Sequence, residues 1–108
     1  MQIKTRSRNN WTIFDLSGKL NEITSKTLAN EVEKKLTAGE NKILFNFNEL
    51  DFINSSGLGS LISISKRVNQ AKGQLRFYNL QPFVSDLFNI TKLHNVFSIY
   101  STEDEAAS

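Results

Sequence analysis

Ile43, Leu44 and Phe45 follow one another without a polar residue between them, and no other stretch limits the fold as much. A strand with one wet face alternates apolar and polar residues. An uninterrupted apolar run belongs to a strand covered on both faces, at the centre of its sheet. This strand is predicted over Lys42 to Phe47. Before it, from about Thr24, Leu28, Val32 and Leu36 recur at every fourth position with Glu and Lys on the other side, predicting an amphipathic helix that ends near Gly39. After it, Leu58, Leu61, Ile62, Ser65 and Val68 share one face of a second helix, from about Ser56 to Ala71.

The remaining segments fit the same plan. Residues 2 to 8 and 11 to 17 read as two strands joined at Asn9-Asn10, a pair that tolerates the positive φ angles of a tight hairpin, with Gly18 breaking the pattern. Gly73 stops the second helix, and Gln74 to Tyr78 is a fourth strand. Pro82 suits a first helical turn, and Phe83, Val84, Leu87 and Phe88 give that helix its apolar side. Phe97 to Tyr100 is a short last strand. Thr102 and Glu105 have the spacing of a capping box, which predicts a frayed acidic turn or tail over 103–108. The order predicts an α/β layer fold: a mixed β-sheet of four to five strands, opened by a β-hairpin, with parallel crossovers and about four helices packed on it.

With 108 residues, 39% of them hydrophobic and eight of them Phe, the chain can bury one core, and a single domain over 1-108 is expected. Leaving aside the run Glu103-Asp104-Glu105, 13 basic residues face 8 acidic ones. The basic residues are not gathered with aromatics as nucleic-acid binding requires. Lys4, Arg6 and Arg8 alternate on one strand face, where charge discourages edge-to-edge aggregation. There is no cysteine, and His94 is the single histidine, beside Leu93, Val96 and Phe97, the setting of a structural or surface residue. No apolar run is long enough to span a membrane, and the first residues lack the apolar core of a signal peptide, so a cytoplasmic protein is expected.

The chemistry concentrates in Asn54-Ser55-Ser56-Gly57-Leu58-Gly59, where strand passes into helix. A hydroxyl of Ser55 or Ser56 would cap the helix, and Gly57 and Gly59 would let it pack close to the strand. Two glycines in a helical turn nevertheless cost roughly 1 kcal/mol each relative to alanine, and a bare first turn leaves the serine hydroxyls open to another protein's active site. Enzymatic motifs fail on spacing. Neither serine has the flanking glycines of an esterase elbow, Ile62 stands where a dinucleotide fingerprint has its third glycine, and no phosphate-binding Gly-Lys-Ser/Thr loop exists. No catalytic residue, metal or cofactor is expected.

The stretch ILFNFNELDFINSSGLGSLISISKRV resembles the signature of the STAS domain, in particular of single-domain bacterial anti-sigma factor antagonists. LSGKLNEITSKTL is similar to that family's loop before its first helix, and the residues from Gly73 onward follow its closing pattern, so the resemblance covers nearly the whole chain. It implies a STAS-like sheet and a protein-interaction switch. The unphosphorylated form would bind an anti-sigma factor that is also a serine kinase and so release a sigma factor; phosphorylation would end binding, and a serine phosphatase would restore it. Ser55 matches the modified serine, with Ser56 the second choice. The predicted adjacency of two crossover loops at one sheet edge puts the partner surface at Asn21, Ile23 and Thr24 with Asn54, Ser56, Gly57, Leu58 and Gly59, Leu58 being the apolar contact. Asn21, Asn46 and Asn54 stand where the family commonly has aspartate. The resemblance also covers modules that bind without being switched, as subunits of lipid-transport ATPase complexes or sensory assemblies. No nucleic-acid partner, no membrane insertion, and a monomer or weak dimer are expected.

Overall fold

A computed structural model describes residues 1–108. Strands β1 (Gln2–Arg8) and β2 (Trp11–Leu20) form the opening hairpin, with Asn9 and Asn10 at φ 52° and 69°. Then come α1 (Thr24–Thr37), β3 (Lys42–Ile53), α2 (Ser55–Gln70), β4 (Gln74–Tyr78) and α3 (Pro82–Ile90). A single 3-10 turn (Leu93–Asn95), β5 (Ser98–Tyr100) and α4 (Glu103–Ala106) complete the chain. The five strands lie in the order β1-β2-β3-β4-β5; β1 is antiparallel to β2 and every other neighbouring pair is parallel. The run Ile43-Leu44-Phe45 is therefore in the central strand.

Its neighbours explain why it does not alternate. Ile43 and Phe45 join the main core, with Phe14 and Leu16 of β2, Leu28, Val32 and Leu36 of α1, Leu61, Ile64 and Val68 of α2, and Val84 and Phe88 of α3. Leu44 belongs to a second, smaller core with Trp11, Ile13, Tyr78, Ala106 and Ala107. Helices α1, α2 and α3 thus cover one face and α4 the other. Phe77 centres the main core, its ring 4.7 to 5.9 Å from those of Phe45, Phe47, Phe88 and Phe97, spacings at which aromatic pairs attract beyond their burial.

Several expectations change. Gly18 does not end β2: at φ 97° it takes a left-handed conformation inside the strand, and irregular register on either side of it lets β2 and β3 stay paired as far as Leu20 and Ile53. β3 accordingly runs six residues past Phe47, through a polar stretch that lacks strand alternation because of those bulges. In α2 the buried positions are Gly57, Leu61, Ile64 and Val68; Leu58, Ile62 and Ser65 lie at their half-buried margin. Phe83 is 41% exposed on α3, whose buried residues are Val84 and Phe88.

The C-terminal turn is docked, not frayed. The Thr102 hydroxyl accepts from the Glu105 N–H, and the buried Ala106 and Ala107 pack into the second core. Glu103 accepts from Arg6, from Arg8 at 2.7 Å and from the Tyr78 hydroxyl at 2.8 Å, while Arg8 also reaches Asp104. The basic alternation on β1 is thus not simply an edge guard, because Arg6 and Arg8 hold the acidic turn. Arg76 lies 4.4 Å from the centre of the Trp11 ring and 5.0 Å from that of Tyr100, and donates to the Ala106 carbonyl at 2.8 Å. No helix is long and apolar enough to cross a membrane.

Candidate functional site

Parallel crossovers deliver the starts of α1 and α2 to the carboxyl edge of the sheet, and the long β2–β3 pair brings their turns together. Asn54 joins them. Its N–H donates to the Leu20 carbonyl at 3.2 Å, its Oδ1 accepts from the Gly57 N–H at 2.9 Å, and its Nδ2 donates to Glu22 Oε2 at 2.9 Å. Asn54, in extended conformation, is therefore the cap of α2, and the expected serine cap is not formed. Both serines fall within the helix proper, are exposed, and make no side-chain hydrogen bond within the chain.

The two glycines play different parts. A Cβ on Gly57 would clash with the Leu20 carbonyl oxygen, so the close approach of α2 to β2 requires glycine there. A Cβ on Gly59 would meet nothing within 4 Å, so packing explains Gly57 and not Gly59. Gly57 is buried; what another molecule can touch at this turn is Ser55, Ser56, Gly59 and the half-buried Leu58.

In the neighbouring turn, Asn21 Oδ1 accepts from the N–H groups of Ile23 and Thr24, each at 3.0 Å, fastening the entry to α1. The Thr24 hydroxyl donates to the Lys19 carbonyl at 2.7 Å and accepts from the Asn21 N–H at 2.9 Å. Thr24 is consequently half-buried, whereas Ile23 is 71% exposed, an apolar side chain offered to solvent. Hydrogen bonds from its own backbone N–H and from Asn54 hold the Glu22 carboxyl below the usual carboxylate range.

Two residues at or next to this end of the β2–β3 pair were not singled out in the sequence. Phe52, 42% exposed, has the Lys19 ammonium 5.8 Å from its ring centre; ending the strand at Phe47 hid it. Glu22 gave no signal because its role depends on Asn54, distant in sequence. Asn46, by contrast, makes no hydrogen bond to either turn. It lies well before the end of β3 and donates to Asp15 Oδ1 at 2.8 Å, beside Arg6, in the network that reaches Glu103. Burial pushes the Asp15 carboxyl up, but hydrogen bonds from Arg6 and Asn46 outweigh it and leave the group below its ordinary value. An aspartate at 46 would face that carboxylate, and one at 54 would face Glu22; in both places the amide supplies the donor that the neighbouring acid needs.

The family model described as STAS domain matches residues 2–106. The chain belongs to the STAS domain family. An anti-sigma F factor antagonist of Paenibacillus polymyxa is 27% identical over 107 residues, 98% of this chain and 92% of that protein. Among solved structures, a candidate anti-sigma factor antagonist of Thermotoga maritima matches with a TM-score of 0.89 at 23% identity, over 96% of this chain and 90% of the other. The anti-sigma factor antagonist SpoIIAA matches in its unphosphorylated form with a TM-score of 0.75 at 18% identity, covering 98% of this chain and 94% of that one. The phosphorylated form of SpoIIAA, from Bacillus, matches with a TM-score of 0.74 at 20% identity, over 97% and 96%. The STAS fold of that relative thus accommodates both states.

Proposed function

We propose that this STAS protein is an anti-sigma factor antagonist, a binding protein and not an enzyme. Unphosphorylated, it holds an anti-sigma factor that is also a serine kinase, and phosphorylation of Ser55 by that kinase ends the binding. A serine phosphatase acting on the modified form would reset it. One observation carries this reading beyond the family: Asn54 caps α2, so the hydroxyls of Ser55 and Ser56 have no structural work and stand exposed on a turn bared by Gly59. The partner surface consists of Asn21, Ile23 and Thr24 together with Asn54, Ser55, Ser56, Leu58 and Gly59. Gly57 supports it from beneath.

A phosphoserine carries close to two negative charges at neutral pH, which the start of a helix tolerates within the fold. At a closed interface the same group adds bulk and a charge that must be desolvated. A loss of about 3 kcal/mol there weakens binding more than a hundredfold.

The test is phosphate mapping on the tryptic peptide Ile43 to Lys66, from protein isolated out of its native cells with phosphatases inhibited. Phosphate on Ser55 is the expected result. An unmodified peptide across growth and stress conditions overturns the switch and leaves a STAS module that binds constitutively. With the kinase in hand, Ser55→Ala retains binding and loses phosphorylation; normal binding by both Ser55→Asp and Leu58→Ala would place the interface elsewhere.

A further inference from the structure

Six acids of the chain sit in ion pairs with its own Lys and Arg residues: Asp15, Glu31, Glu33, Glu40, Glu103 and Asp104. Glu22 has no such cation. It is an exposed carboxylate held in place by the Asn54 amide at 2.9 Å, one residue before Ser55. The same amide caps α2 through Oδ1, so any force on Glu22 is felt at the start of that helix, and any charge placed there is felt by Glu22.

We propose that Glu22 is a positioning residue of the switch: its hydrogen bond to Asn54 locks the Asn21–Thr24 turn to the Ser55 turn, and a phosphate on Ser55 opens that lock and frees the turn that carries Ile23. This rests on the reading of Ser55 as the modified residue. Three features of the site support it. The Glu22 carboxylate lies 2.9 Å from the side-chain amide of Asn54, and the Cα of Asn54 is about 3.8 Å from that of Ser55, so a phosphate on Ser55 comes within the order of the ~8 Å screening length of physiological salt from that carboxylate. The N–H groups of Ser55 and Ser56, unlike those of Gly57 and Leu58, donate to nothing in the chain and are free to take phosphate oxygens. A dianion anchored there repels the neighbouring carboxylate.

The other ties across the two turns do not carry charge. The Asn54 N–H still donates to the Leu20 carbonyl and Gly57 still packs beneath it, so β2 and α2 stay joined and the motion is confined to residues 21–24. Modification of one half of the partner surface would then loosen the other half, in addition to placing bulk at Ser55.

The experiment installs phosphoserine at position 55 of the full chain during translation, in the wild type and in Glu22→Gln. Glutamine keeps an oxygen for the Asn54 amide and removes the charge that phosphate repels. NMR follows the Asn54 side-chain NH2 signals and the hydrogen exchange of the Ile23 and Thr24 amides. In the wild type, phosphate should shift the Asn54 signals and speed exchange of the two amides about fivefold or more; in Glu22→Gln the change should be small. Unchanged exchange in the wild type, or an equal response in Glu22→Gln, overturns the lock. Because the phosphate is installed synthetically, this outcome is independent of whether cells modify Ser55, which peptide mapping decides.

Discussion

Replacing Asn54 with alanine removes at once the acceptor of the Gly57 N–H and the donor to Glu22. The expected loss is about 1–2 kcal/mol, read as a lower urea midpoint with an unchanged slope. Asn54→Asp keeps the cap but sets a second carboxylate against Glu22, so its smaller loss should shrink as salt is added; a deficit indifferent to salt would show that repulsion is not its cause. Gly57 and Gly59 make a second pair of opposites. Gly57→Ala drives a methyl group against the Leu20 carbonyl and should cost about 1–3 kcal/mol or more, whereas Gly59→Ala meets open space in a helix and should gain roughly 0.5–1 kcal/mol. Urea unfolding of the two variants checks both signs. If Gly59→Ala stabilises the fold yet weakens partner binding, the glycine serves the interface.

Among the elements, α4 is the shortest helix and the one most dependent on charge. Hydrogen bonds from Arg6, then from Arg8 and Tyr78, overcome the effect of burial and hold the Glu103 carboxyl at about 2, from an ordinary 4.5. A depressed carboxyl stabilises the folded state fully above its unfolded value and loses that contribution as pH falls toward the folded one. Docking of α4 should therefore weaken progressively between about pH 4.5 and pH 2. Trp11, the single tryptophan, is buried in the core that α4 completes, so its fluorescence reports the undocking. Glu103→Gln should flatten this pH dependence without abolishing it, because Asp15 is depressed as well and titrates in the same direction. A wild-type emission profile that stays flat over this window would contradict the assignment.

At the scale of the molecule, stability depends on the aromatic cluster around Phe77, which touches rings from β3, α3 and the segment before β5. Phe77→Ala should cost about 3–5 kcal/mol, a large part of the 5–15 kcal/mol available to a domain of this kind, and the melting temperature should fall accordingly. Legible in the sequence were the order of strands and helices, the central place of Ile43-Leu44-Phe45, the hairpin at Asn9-Asn10 and the strand-to-helix turn at Ser55. These rest on local periodicity and turn chemistry, which neighbouring residues express without help from distant ones. Contacts between distant segments account for the rest: the continuation of β2 and β3 past Gly18, the cap at Asn54 in place of a serine, the docking of the acidic turn on Arg6 and Arg8, and the pairing of Glu22 with Asn54. Each joins groups from separate segments, and hydrogen bonds, ion pairs and strand register between such segments exist only once packing has fixed the distance between them.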